Sequence, residues 1–180
     1  LAIMTTLGTL ESILISLFFG LAVACSTLLG HRLGAEEYDE AWQHSQLFLL
    51  LAPVGALLVG TAVWLMQGSL LQWVGNLPGE LMTEAGQVLA IMCLGMLLKV
   101  FNMVGIVGVL RSGGDVNYSI FIDIVGMWCI GLPLAWVAVS LLGWPLSWVV
   151  AVVLLEELSK VLLVQRRIRQ RRWLRNLVLG

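Results

Sequence analysis

Hydrophobic positions run along this chain in long blocks rather than in alternation. Five stretches, roughly 7 to 30, 47 to 71, 85 to 110, 117 to 142 and 145 to 165, are apolar over enough residues to cross hydrocarbon. A bilayer core of ~30 Å takes about 20 helical residues. Continuous runs do not suit the strands of a barrel, and in lipid each peptide group must find its partner within its own segment. The pattern predicts an all-α polytopic transmembrane helix bundle of five helices, with its two ends on opposite sides of the membrane.

Composition sharpens this. The 180 residues are 59% hydrophobic and 12% charged, with a mean hydropathy of +0.96, whereas soluble domains carry about 25% charged residues. Six of the ten Lys and Arg residues fall between Arg166 and Arg175. Of the connections, "GHRLGAEEYDEAWQHSQ" carries Arg32 and "RSGGDVN" carries Arg111, while "QWVGNLPGELMTE" and "LLGWPLS" carry no Lys or Arg. The positive-inside rule therefore predicts a multi-pass protein of the plasma (bacterial inner) membrane, with 166–180 a basic cytoplasmic tail. An Arg cluster directly after a span suits anionic lipid, and no nucleic-acid partner is expected. Trp73, Trp144 and Trp148 fall at the outer boundary, and Trp42 and Trp173 beyond the inner one, as rings that prefer the headgroup zone. Cys25, Cys93 and Cys129 are scattered through apolar sequence and are expected as buried packing residues, and no metal site is expected. Pro53 and Pro133 lie inside spans, where each invites a kink. Leu1 leads straight into hydrophobic sequence with no signal-peptide pattern, as expected of a fragment of something longer.

The third span ends on Arg111, Ser112, Gly113, Gly114 and Asp115. Gly113 or Gly114 suits the left-handed residue that ends a helix, and Asp115 suits the N-cap of the next. Lys99 lies 12 residues before Arg111, about 18 Å deep by helical rise. Glu156 and Glu157 lie at a similar height before Arg166, which allows a Lys99 to Glu156 or Glu157 pair; Asp123 and Lys160 share a shallower depth and form a second candidate pair. Glu11 counts to the outer interface. Ionisable groups at mid-membrane each cost about 2.5–3.5 kcal/mol, so they turn inward and pair. Such a pair is either a structural clasp or part of a pathway.

Met92, Met96, Lys99, Met103 and Ile106 form one stripe on the third span, with Asn102 and Gly95 beside it. A methionine stripe is either a packing seam or a soft cavity wall, and the lysine within it favours the cavity. Gly105 and Gly108 allow a neighbouring helix to come close.

"KVFNMVGIVGVLRSGGDVNYSIFID" followed by "GLPLAW", flanked by "GLAVACSTLLGHRLGAEEYDEA" and "EELSKVLLVQRRIRQRRW", resembles the multidrug and toxic compound extrusion (MATE) family of secondary transporters. The resemblance implies five helices of the C-terminal lobe of a twelve-helix transporter, with the N-terminal half absent. It also implies export of cationic or amphipathic organic compounds by proton- or sodium-coupled antiport through alternating access. Lys99, Asn102 and the Met stripe would then face the cavity. His31 stands where many members carry Gln, and the acid that binds a cation near position 100 in one branch is replaced by Lys99 and Val100. The coupling ion, H+ or Na+, is therefore left unassigned, and no other cofactor is expected. The expected partners are small organic substrates, membrane lipids and the N-terminal lobe. The alternatives are a flippase for lipid-linked sugars and, more remotely, an intramembrane enzyme using Glu156 or Glu157; the chain lacks an intramembrane His or a nucleophile–base constellation, so an enzyme is not expected.

Overall fold

A computed structural model describes residues 2–74 and 79–176. Five long helices and one short one account for nearly all of them: α1 (Ala2–Gly34), α2 (Tyr38–Leu65), α3 (Gln67–Val74), α4 (Gly79–Met103, continued by Val104–Leu110), α5 (Val116–Leu141) and α6 (Leu146–Arg169). No strand occurs among the described residues. In α1, α2, α4 and α5 a long apolar window meets the length and hydropathy of a membrane span. Where the fifth span is predicted there is a helix, α6, but with Glu156, Glu157 and Lys160 in it, it is not among the four that meet that measure.

The exterior confirms the class. Leu17, Leu58, Leu65, Trp128 and Trp136 are all more than 60% exposed, an oily surface that water-soluble proteins avoid over large areas. Buried side chains gather in two cores. One, toward the Arg-rich end, is built from residues such as Cys25, Leu29, Met96, Val104, Leu110 and Ile168. The other, toward the opposite end, joins Leu7, Leu71, Val88, Leu89 and Met92. Central α4 packs on α1, α2 and α6, and α5 packs mainly on α6.

Three expectations change. The predicted polar loop after the first span shrinks to Ala35–Glu37, because α1 runs to Gly34 and α2 starts at Tyr38. His31 and Arg32 in the last turn of α1, and Asp39 and Glu40 in the first turn of α2, each sit at the helix end where the dipole favours their charge. Arg32 also bonds Glu37 at 2.5 Å and Glu40 at 2.8 Å across the turn. Second, the span placed at 47 to 71 stops at Leu65, and a separate helix, α3, follows. Third, α4 and α5 contain π-helical turns over Val104–Leu110, Val125–Gly131 and Val137–Leu141, wider turns that shift the register of every face beyond them. Pro133 stands in the five-residue α-helical piece between the last two.

Gly105 and Gly108 perform the close approach expected of them on different sides of α4. A Cβ on Gly105 would lie 2.5 Å from Val164 of α6, and one on Gly108 would lie 3.0 Å from the Cys25 sulfur of α1. At the end opposite the Arg cluster Trp144 and Trp148 lie together, rings 6.1 Å apart; the Trp73 side chain falls outside the described residues.

Candidate functional site

A polar belt crosses the bundle where the two cores meet. Lys99 on α4 donates from Nζ to Glu11 Oε1 on α1 at 2.6 Å, with side chains 30% and 16% exposed. One turn on, Asn102, only 4% exposed, donates its amide to the Glu157 carbonyl oxygen at 2.9 Å and to Glu157 Oε2 at 2.8 Å. On the next face of α6, Glu156 and Lys160 pair at 2.6 Å. The belt thus joins α1 to α4 and α4 to α6, and it ends against α5.

These partners correct the predicted ones. Lys99 takes Glu11 rather than Glu156 or Glu157, and Glu11 is tied into the bundle rather than left at the interface. Cys25 on α1 stands level with Gly108 on α4; from that level Glu11 is about 21 Å away and Lys99 about 13 Å by helical rise. Helical side chains lean toward the N-terminus of their helix, so the long lysine reaches across the remaining gap. Lys160 turns to Glu156 on its own helix, while Asp123 lies 3.7 Å from Arg111.

Two glycines unmarked by the sequence complete the belt. A Cβ on Gly131 would overlap Glu156 Oε2, and a Cβ on Gly126 would overlap the Lys160 side chain. The α5 backbone is therefore notched to seat the α6 ion pair. Gly131→Ala is expected to lower stability by about 1–3 kcal/mol through overpacking. Gly20→Ala, with nothing within 4 Å of the added methyl, should be neutral or slightly stabilising, because alanine is the better helix former. Melting of the two purified variants checks the difference.

The methionine stripe is mostly packing. Met92 and Met96 are 7% and 1% exposed, and Met103 is half-buried. With Leu14, Val63 and Cys93, Met92 and Met96 close on Glu11, leaving a crevice of about 10 Å³, room for about one water. The larger opening is a groove of about 450 Å³ between α4 and α6, lined by Gln87, Ile91, Ser147 and Trp148. None of those residues lies on the stripe, and only the polar Gln87 in an apolar run hinted at it.

At the basic end the Arg111–Asp115 turn closes α4 with N–H bonds from Gly114 to the Arg111 carbonyl and from Asp115 to the Leu110 carbonyl, each 3.0 Å. Gly114 is the left-handed residue, at φ 75°, and Gly113 meets the backbone of Trp173. Asp115 holds the N-cap position of α5 but makes no side-chain cap bond. Its carboxylate instead receives two bonds from Arg167, at 2.5 and 2.9 Å, and that guanidinium lies 4.3 Å over the Tyr118 ring. Beyond α6, Arg171 turns the chain back with a left-handed φ of 54° and stacks 4.5 Å over Trp42. Trp173 then enters the core fully buried. It was expected in the headgroup zone; the tail instead folds back as a strap under the bundle.

Comparison with known proteins follows the same outline. The chain is 26% identical over 175 residues to the uncharacterized transporter YisQ of Bacillus subtilis (strain 168), covering 96% of this chain and 38% of that protein. The chain thus spans well under half the length of this relative. No solved structure matches it. A family model described as MatE matches residues 1–137. That match takes in α1 to α4 and most of α5, including Glu11, Lys99 and the Arg111–Asp115 turn, and the chain belongs to the MatE family.

Proposed function

We propose that this chain is a lobe of a secondary transporter that exports cationic or amphipathic organic compounds by proton- or sodium-coupled antiport, alternating between two facing states. The observation that carries the reading is the Lys99–Glu11 pair at 2.6 Å, placed between the two cores and joined to α6 through Asn102. An ion or cargo shifts an equilibrium only by binding its states unequally. A cation that competes with Lys99 for Glu11 favours the arrangement in which α1 and α4 are unclasped, and its release restores the clasp. The basic end faces the cytoplasm of the plasma membrane on this reading.

A sugar-phosphate cargo is disfavoured by the same pairing. It calls for unpaired cations in the membrane interior, and Lys99 and Lys160 are both held by carboxylates. Cationic cargo suits a site whose acids are the exchangeable partners.

The test is Lys99→Gln, which keeps a hydrogen-bond donor toward Glu11 but removes the charge. It should change resistance to cationic dyes, and their efflux, with membrane abundance maintained. Wild-type export by an equally abundant variant would overturn the role given to the pair.

A further inference from the structure

At the basic end α2 and α6 both pack on α4 and leave a groove between them. Its free volume is about 220 Å³, and it is lined by Gln46, Leu49 and Leu50 of α2, Phe101 of α4, and Gln165 and Arg169 of α6. That is below the about 300–1,000 Å³ typical of sites for drug-sized ligands. The lining is graded along the helices. Arg169 closes α6 within the Arg cluster, Gln165 precedes it by one turn on the same face, and Gln46 faces them from α2. Above these polar groups the walls are leucine and phenylalanine, and Leu50 lies 12 residues into α2, about 18 Å along it.

Arg169 is exposed, and neither its side chain nor that of Gln165 has a hydrogen-bond or ion-pair partner among the described residues. The Asp115 carboxylate is occupied by Arg167, and Glu37 and Glu40 are occupied by Arg32. Arg171, outside the lining, stacks over Trp42, one turn from Gln46 on α2, and adds a second guanidinium to this end. A cationic mouth with amide donors, opening into an apolar slot that runs along the helices, is complementary to one kind of molecule. We propose that this groove binds an anionic phospholipid, its phosphodiester on Arg169 with Gln46 and Gln165, and an acyl chain against Leu49, Leu50 and Phe101. Guanidinium groups recognise phosphate oxygens through charge-assisted, often paired, hydrogen bonds, and basic pockets between helices at the membrane surface take such headgroups. This goes beyond the transport reading and does not depend on it.

The experiment measures lipid binding to the detergent-solubilised protein by native mass spectrometry and by thermal shift, with phosphatidylglycerol, phosphatidylcholine of the same chains, and inorganic phosphate as probes. Phosphatidylglycerol should bind and raise the melting temperature, while phosphatidylcholine and inorganic phosphate should do neither. Arg169→Gln should weaken phosphatidylglycerol binding about tenfold, the loss of one charge-assisted hydrogen bond. Arg175→Gln, an equal charge change outside the groove, should leave binding as it was. Leu50→Trp fills the slot without touching charge and should also weaken binding. Equal binding of both lipids, a response to inorganic phosphate matching that to phosphatidylglycerol, the same loss in Arg175→Gln as in Arg169→Gln, or full binding by Leu50→Trp would each overturn the proposal; the last two would indicate diffuse attraction of lipid to the tail.

Discussion

Gly113→Ala is expected to unseat the C-terminal strap and to lower stability by about 3–5 kcal/mol, the range for losing a buried tryptophan from a core. The added Cβ would overlap the Trp173 carbonyl oxygen, which already accepts the Arg175 N–H at 2.9 Å. Neither side has room to yield. Gly113 sits in a turn fixed by the bonds from Gly114 and Asp115 back to α4, and Trp173 is fully enclosed. The chain beyond Arg169 is the part that gives way, and with it go the Arg171 stack on Trp42 and the 3.4 Å bond from Asn176 to Glu36. Limited trypsin digestion should then cut after Arg171 and Arg172 faster than in the wild type, and tryptophan emission should shift to the red. Trp173→Phe is the control. Trp173 Nε1 is buried without a partner, so removing that donor offsets the smaller ring and the change should be near neutral. A Gly113→Ala protein that melts like wild type with a protected tail would show that the turn adapts and that the strap is not held by shape.

The strap also shows where the amino-acid pattern stops being informative. The all-helical class was legible because lipid leaves the backbone no alternative to long apolar helices, whereas the break at Met66 and the separate helix α3 were not. The turn at Gly113–Asp115 was legible because helix ends have local chemistry, and Gly105 and Gly108 were legible as points of close approach. What failed were the pairings. Asp115 stands at the N-cap position but does not cap with its side chain; its carboxylate answers to Arg167, 52 residues away. Counting heights by Cα position placed Lys99 level with Glu156 and Glu157; the direction and length of the lysine side chain select Glu11. Gly126 and Gly131 have no local signature, since their purpose depends on knowing that α5 faces the α6 ion pair. Trp173 was assigned to the interface because its burial rests on a left-handed residue at Arg171 and a missing side chain at Gly113, two features that become related only when the tail turns back. The polar run from His31 to Gln46 has the composition of a surface loop, yet its charges complement the ends of two longer helices.

The Lys99–Glu11 pair is expected to show strong non-additivity, which separates its structural part from its transport part. Lys99→Met leaves the Glu11 carboxylate without its cation, and Glu11→Leu leaves the ammonium without its anion. Removing one member of a buried pair costs about 3–5 kcal/mol, and replacing both with apolar groups is close to neutral. Because the Lys99 side chain keeps 30% of its exposure, the single losses should fall below that range, at about 2–3 kcal/mol. The double variant Glu11→Leu, Lys99→Met should recover most of that, since both positions border apolar residues of the two cores, with Met96 on one side and Met92 on the other. Thermal melting of the four proteins closes the cycle. Additive losses would mean that the two residues act separately, against the contact between them. Export by the double variant then decides the rest. With the clasp replaced by oil, α1 and α4 remain packed, but no cation has a carboxylate to compete for, so a stable double variant should fail to export. If it exports as wild type does, the pair is a clasp only, and the exchangeable acid lies elsewhere in the belt or in the rest of the transporter.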